Sequence, residues 1–300
     1  MPKVLALVGS ARKWGNSEVL AREALLGAQE AGASIALVRL PELHIEPCDG
    51  CLKCVLSSGT CHLNDDLAWL LAQAQASDAL LLAAPTYFLG PTATATLVID
   101  RLLMRASALV AQAAENKPGE GSEPSPGWRK VGAAIAVCGV QEWRGMTLPY
   151  LVSLVQGLGF SPLDGFYAYA PGPGEVLLDE ALMARVHHLG RRLALGRVER
   201  LSLEEENVCP TCYGDAFVLH GDVAICPICG QEAWVAMQDG HVHLAFAENE
   251  GGRWSEQGLA AFLNDWVIPS AGRFLAHRQE IKARRQHLEA VEMPWLRPGG

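Results

Sequence analysis

Short apolar runs alternate with amphipathic stretches through the first two-thirds of this 300-residue chain. Val4–Val8 predicts a buried strand that opens into a loop rich in Gly and Ser. Asn16 or Ser17 can cap a helix whose Leu20, Ala24, Gly27 and Ala28 share one stripe, and Gly32 closes it. Ile35–Leu40 reads as a second strand. Asp65 or Asp66 caps a helix with Leu67, Leu70, Leu71 and Ala74 on one face. Ala79–Ala84 is the most continuously apolar run, as expected of a central parallel strand covered on both sides. Pro91–Ala111 reads as a longer helix, and the polar, Pro/Gly-rich residues 115–127 as a mobile loop. Val131–Cys138, Thr147–Leu158, Phe160–Ala168 and Asp179–Leu195 then read as strand, helix, strand and helix. Five such repeats with short connections predict an α/β domain over residues 1–197, a doubly wound parallel five-stranded sheet.

The texture changes at Leu203. Phe217–Ile225 reads as a hairpin turning near His220-Gly221-Asp222, and Trp234–Met237 with His241–Phe246 as another, turning at Asp239-Gly240. Residues 203–250 therefore form a small β module, and 255–290 a helical tail broken by Pro269.

Composition narrows the function. The 33 acidic and 24 basic residues give a net charge of −9, which argues against nucleic acid as a partner, since phosphate binding relies on Lys and Arg. Val4–Val8 is too short for the core of an export signal, and no apolar run approaches a transmembrane length. A cytoplasmic protein with no membrane partner is expected, in a compartment where clustered thiols usually mean metal.

Eight of the nine cysteines fall into two tetrads. Cys48, Cys51, Cys54 and Cys61 form C-x2-C-x2-C-x6-C within fourteen residues, the compact spacing that wraps one loop around a [4Fe–4S] cluster. Zinc, two disulfides or four unrelated buried cysteines are the alternatives. Cys209, Cys212, Cys226 and Cys229 form C-x2-C-x13-C-x2-C across the first hairpin, the signature of a tetrahedral four-thiolate site in a zinc-ribbon or rubredoxin-like module. Zinc there is a structural clamp, and iron a further redox centre. With zinc, the module is expected to be separable, so that a chain ending near Gly196 keeps its redox chemistry.

Gly9–Glu18 joins the first strand to the first helix, where free backbone N–H groups and the helix dipole can receive a phosphate. It is neither a Walker loop nor a dinucleotide fingerprint. Ala84-Pro85-Thr86-Tyr87-Phe88-Leu89-Gly90-Pro91-Thr92 follows the third strand, at the carboxyl edge where ligands of such sheets bind. Its proline, aromatics and glycine can form a rigid surface against a planar ring.

These segments together, with Leu97-Val98-Ile99-Asp100-Arg101-Leu102, resemble the NADPH-dependent FMN reductase superfamily and its iron–sulfur flavoprotein branch, over about residues 1–197. The resemblance implies a flavodoxin-like fold and FMN, with phosphate held by Ser10, Arg12, Asn16, Ser17 and Glu18. It also implies isoalloxazine contacts from Pro85, Thr86, Tyr87, Phe88 and Gly90, and from Gly139 after the fourth strand. A homo-oligomer with FMN near a subunit interface is implied as well. The C-terminal hundred residues lie outside the resemblance.

The expected function is that of an oxidoreductase coupling two-electron flavin chemistry to one-electron carriers, with ferredoxin or NAD(P)H as donor and an unidentified acceptor. The alternatives are an NAD(P)H-dependent FMN or quinone reductase without a functional cluster, and a flavin-binding redox sensor or scaffold with a zinc ribbon. No residue is required to act as acid or base. Cys138 reads as a small core residue, and His187, His188, His241 and His243 as solvated or packed. Arg273, Arg278, Lys282, Arg284 and Arg285 read as a solvated helix face, with an acidic partner such as ferredoxin as the alternative.

Overall fold

The computed structural model describes residues 1–56, 60–105, 130–196, 207–247 and 252–291. The expected mobile loop 115–127 and the end of the predicted helix at 106–111 lie outside them. Two units divide the chain, Met1–Leu259 and a second beginning at Ala260.

In the first unit, parallel strands β1 (Lys3–Val8), β2 (Ser34–Arg39), β3 (Ala79–Tyr87), β5 (Val131–Cys138) and β6 (Ser161–Tyr169) lie in the order β2-β1-β3-β5-β6. A two-residue strand β4 (Gly90–Pro91) folds back antiparallel on the end of β3, adding a sixth strand to the five expected. The flavodoxin-like topology is therefore present. Neighbouring residues on each central strand serve opposite faces. Leu5, Leu7, Leu80 and Leu82 join one buried cluster, while Val4, Ala6, Val8 and Leu81 join the other.

The helices α1 (Asn16–Glu30) and α6 (Glu180–Ala194) cover the second face. The first face is covered by α3 (Leu67–Gln75), α4 (Ala93–Asp100) and α5 (Thr147–Gly157), and a single turn α2 (Lys53–Leu56) lies in the cysteine loop. The helix expected over Pro91–Ala111 is interrupted rather than continuous: α4 ends at Asp100, Arg101 is a turn, and residues 102–105 are helical again. Arg101 leaves helical geometry and turns its guanidinium inward onto Asp65 and the Glu46 carbonyl.

Strands β7 (Val218–His220), β8 (Val223–Ile225), β9 (Glu232–Gln238) and β10 (His241–Phe246) make one four-stranded antiparallel sheet rather than two separate hairpins. Asp239 and Gly240 both have positive φ, 51° and 81°, the geometry a tight two-residue hairpin turn needs. Its cysteine knuckles share a buried cluster with Leu148, Leu151 and Val152 of α5. Tyr213, 6% exposed, lies against Gly165 of the edge strand β6.

The tail starts with α7 (Glu256–Ala261), passes through a π-helical turn (Phe262–Val267) and continues as α8 (Ile268–Glu289). Pro269 does not break it. The helical path runs on through the π-helical turn just before the proline, the kind of local adjustment that accommodates a missing N–H. No helix among the described residues is long and apolar enough to cross a membrane.

His187 links α6 to α1, with Nδ1 2.8 Å from Glu23 and Nε2 3.0 Å from Glu30; Arg191 also faces Glu30 at 3.6 Å. The hydrogen bond to Glu23, then that to Glu30, raises the imidazole pKa above its usual value. A raised folded-state pKa gives stability that is complete below the unfolded value and is lost as pH rises through the folded one. The stability advantage of the wild type over His187→Gln should therefore shrink as pH rises from about 6 towards 8. Thermal unfolding at both pH values measures it, and an unchanged gap would refute the ion-pair assignment.

Candidate functional site

Three loops converge at the carboxyl edge of the large sheet. The first follows β1, and its Gly9 is tied to β3, with its N–H donating to the Ala83 carbonyl (2.9 Å) and its carbonyl accepting from Thr92 Oγ1 (2.9 Å). A Cβ on Gly9 would lie 2.7 Å from that of Ala84, so only glycine allows this approach. Ser10 is buried and its Oγ accepts the Arg12 N–H at 3.2 Å, while Arg12 and Lys13 are exposed. Gly15 precedes α1 with no side-chain cap; the Glu18 N–H donates to the Gly15 carbonyl (3.0 Å), and the Asn16 and Ser17 N–H groups at the helix start can face an anion.

Ser17 is buried in that first turn. The side chains of Asn16 and Glu18 also have partners within the protein. The Asn16 amide donates to the carbonyls of Ala170 (3.0 Å) and Gly172 (2.8 Å). Glu18 accepts from the Trp14 N–H (3.0 Å) and Arg22 (2.8 Å), and pairs with Arg39. Burial alone would raise its pKa, but the bonds from Arg22 and Trp14 and the charge of Arg39 hold the carboxyl below the usual range. Both side chains tie the loop to its neighbours.

The second loop carries Pro85, Thr86, Tyr87, Phe88 and Gly90. Phe88 and Leu89 form the tight turn between β3 and β4 with φ of 48° and 70°, a left-handed pair that ordinarily demands glycine or asparagine. Phe88 is 91% exposed. The Thr86 hydroxyl is buried without a partner, an orphan polar group that a bound ligand would satisfy.

The third loop follows β5, with Gly139, Val140 and Trp143 exposed. Cys138 is buried and its thiol donates to the Val140 carbonyl (3.1 Å). Gly145, at φ 54°, abuts the second loop: a Cβ there would lie 2.2 Å from the Leu89 oxygen. The residues present fit FMN: an uncapped helix start at α1, the orphan hydroxyl of Thr86 and the exposed aromatics Tyr87 and Phe88.

The cysteine loop connects β2 to α3. Cys48 and Cys51 are exposed, and Cys54 and Cys61 half-buried. Burial, then the charges of Cys61, Cys51 and Cys48, raises the Cys54 pKa, which places Cys54 within electrostatic reach of the other three. Cys51 Sγ lies 3.6 Å from His62 Nδ1, and His62 Nε2 lies 3.1 Å from Asp49. Asp65 anchors the loop by accepting the Glu46 N–H (2.8 Å) and the Leu67 N–H (3.1 Å) and pairing with buried Arg101.

The second tetrad is gathered. Cys209, Cys212, Cys226 and Cys229 are fully buried with every pair of thiols within 4.8 Å. Cys209 and Cys229 are 3.4 Å apart, and Cys212 and Cys226 3.5 Å. A tetrahedron with metal–sulfur bonds of about 2.3 Å has edges near 3.8 Å, so these thiols fit a single ion.

Residues 2–171 match the family described as NADPH-dependent FMN reductase, more than half of the chain. The chain belongs to this family. FMN reductase family members are FMN-dependent oxidoreductases, and the flavin loops lie inside the matched span. An iron–sulfur flavoprotein of Methanocaldococcus jannaschii is 34% identical over 99 residues, 33% of this chain and 51% of that protein. The chain thus spans about half the length of that relative. An iron–sulfur flavoprotein of Archaeoglobus fulgidus is 29% identical over 195 residues, 64% of this chain and 79% of the relative. The protein named flavone synthase cfoJ from Aspergillus candidus is 29% identical over 286 residues, 84% of each chain. A solved structure described as flavone reductase shares the fold, with a TM-score of 0.74 and 23% identity across 98% of this chain and 99% of that one.

Sequence reasoning missed Asp49 and His62 beside Cys51. The Cys61-His62 dipeptide was the available signal. It also missed Arg39 and Gly145, whose roles depend on long-range contacts that no spacing reveals.

Proposed function

We propose that this FMN reductase family member couples two-electron chemistry at FMN to one-electron transfer through a [4Fe–4S] cluster held by Cys48, Cys51, Cys54 and Cys61. The compact C-x2-C-x2-C-x6-C spacing of the loop cysteines carries the reading. The likeness to iron–sulfur flavoproteins and the charges of Cys61, Cys51 and Cys48 felt at Cys54 support it. When bound, FMN supplies hydride acceptance and single-electron release, and the cluster exchanges electrons singly.

The chain's own groups do the positioning. The α1 N-terminus with Ser10, Arg12 and Ser17 receives the phosphate, and the Thr86 hydroxyl meets a polar edge of the ring. Tyr87, Phe88 and Gly90 form the ledge beneath it, and Pro85 and Gly139 border it. His62, braced by Asp49, orients Cys51. The ribbon holds zinc, with iron as the alternative. NAD(P)H or ferredoxin serves as donor in the cytoplasm, and the protein works as a homo-oligomer.

Protein purified without oxygen should show flavin bands over a broad shoulder near ~400 nm from thiolate-bound iron. Cys54→Ala should remove the shoulder and leave the flavin bound. A clean yellow protein free of sulfide would sink the cluster. Arg12→Glu should weaken FMN about 10–100-fold, the worth of a charged hydrogen bond turned repulsive, with the circular dichroism unchanged. Fluorescence titration of flavin reads this, and unaltered affinity would mean that the phosphate sits elsewhere.

A second reading rests on the likeness to cfoJ, which at 84% of this chain must extend beyond residue 197 into the ribbon or tail, where iron–sulfur flavoproteins were not expected to match. On that reading the protein is an NAD(P)H-dependent reductase without a working cluster. Its exposed Phe88 and Trp143 would receive a planar, conjugated substrate of the flavone class. Flavone-dependent NAD(P)H oxidation that survives Cys54→Ala would favour it.

A further inference from the structure

The four-thiolate ribbon and the aromatic ledge are joined by a continuous run of packed groups. Within the first knuckle, the Cys209 N–H donates to the Gly214 carbonyl (2.8 Å) and the Tyr213 N–H to the Cys209 carbonyl (2.9 Å). A Cβ on Gly214 would lie 3.4 Å from Cys212 Sγ and 3.5 Å from Pro149 of α5. The next residue, Asp215, pairs with Arg144 in the loop after β5.

From Arg144 the run continues to the ledge. Its guanidinium stands 5.8 Å from the centre of the Tyr167 ring, and the Tyr167 hydroxyl donates to the Gly145 carbonyl (2.9 Å) and accepts the Leu148 N–H (3.2 Å). Gly145 lies against Leu89, and the Met146 N–H donates to the Leu89 carbonyl (2.8 Å). Leu89 is half of the left-handed pair whose strain persists only where surrounding structure over-determines it.

We propose that the metal held by Cys209, Cys212, Cys226 and Cys229 fixes the flavin ledge through Asp215, Arg144 and Gly145, so that metal occupancy and FMN affinity are thermodynamically linked. Asp215 and Arg144 are positioning residues. This deepens the FMN reading given above and rests on it for its flavin arm. Losing the metal frees the knuckle, the knuckle releases Asp215, and the Phe88–Leu89 turn loses its brace. The separability expected from the change of texture at Leu203 gives way to a coupling. Linkage is reciprocal: FMN must raise the affinity for the metal by the same factor by which the metal raises the affinity for FMN.

The test uses the full-length, metal-loaded protein. Asp215→Asn should keep the metal and the fold but weaken FMN about 5–150-fold, the usual range of such couplings. In the wild type, saturating FMN should tighten the metal in an equilibrium competition with a chromogenic chelator, and Asp215→Asn should abolish that tightening. Hydrogen exchange at the Met146 amide should rise in Asp215→Asn, while exchange along α1 stays unchanged. Wild-type FMN affinity in Asp215→Asn, or an equilibrium metal affinity indifferent to FMN, overturns the linkage. If the wild type binds no FMN, the flavin reading fails by itself. Exchange at Met146 then decides the brace alone: a rise on metal removal supports it, and no change overturns it.

Discussion

Arg101→Met should lower the unfolding free energy by about 3–5 kcal/mol, the cost of stranding one member of a buried ion pair. The side chains of Arg101 and Asp65 are 3% and 1% exposed. Asp65 also accepts the N–H groups of Glu46 and Leu67, so it cannot swing out to solvent without undoing the start of α3. Burial raises its pKa, but the bond from Arg101 and the two backbone donors outweigh that and hold the carboxyl low. A lowered folded-state pKa gives stability that is present above the unfolded value of 3.8 and is lost as pH falls through the folded one. The penalty of Arg101→Met should therefore shrink below about pH 4, where an unpaired Asp65 is protonated. Adding Asp65→Asn should recover much of the loss at neutral pH, because no buried charge is left. Urea titration of the single and double variants measures both effects. A penalty under about 1 kcal/mol would mean that the pair behaves as a surface bridge. The consequence reaches the site, since Asp65 and Arg101 anchor the segment from Glu46 to Cys61 that presents the cysteines.

The doubly wound sheet was legible because period and composition agree. Val4–Val8 and Ala79–Ala84 are apolar on both faces, and the helices between them carry clear stripes. The metal ribbon was legible because two Cys-Pro-x-Cys knuckles constrain geometry strongly. What escaped is tertiary. Arg101 sits in a run that reads as uninterrupted helix, and only the position of Asp65, thirty-six residues earlier, explains the break. Asn16 and Glu18 read as phosphate contacts from their place in the loop, and the further bonds of their side chains were not legible there. Their partners Ala170, Gly172 and Arg39 reach them only when β2 and β6 close the sheet. The Phe88–Leu89 turn was hidden for the opposite reason. Local propensity disfavours a left-handed phenylalanine, and the sequence gives no sign that Gly145 will support it.

Gly190→Ala should destabilise the protein although it raises intrinsic helix propensity. In an exposed helix interior that exchange gains about 0.5–1 kcal/mol. Here a Cβ on Gly190 would stand 1.7 Å from the Ala24 carbonyl oxygen, and one on Gly27 would stand 2.0 Å from the His187 oxygen. Both neighbours are backbone of the opposing helix and cannot rotate aside. Helices α1 and α6 must then separate, opening the packing of Leu20, Ala24 and Ala28 against Val186, Leu189 and Leu193. Overpacking of this kind costs about 1–3 kcal/mol, more than the propensity gain. Gly272 in α8 supplies the contrast, because its notional Cβ meets nothing within 4 Å. Gly272→Ala should be neutral or slightly stabilising, so one substitution type takes opposite signs at two helical positions. The α1 displacement should also weaken FMN, since that helix carries Ser17 at its start and is fastened through Asn16 to the connection that leads into α6. Denaturant titration with a parallel flavin titration reads both. A Gly190→Ala protein with wild-type stability would show that the two helices do not approach backbone to backbone.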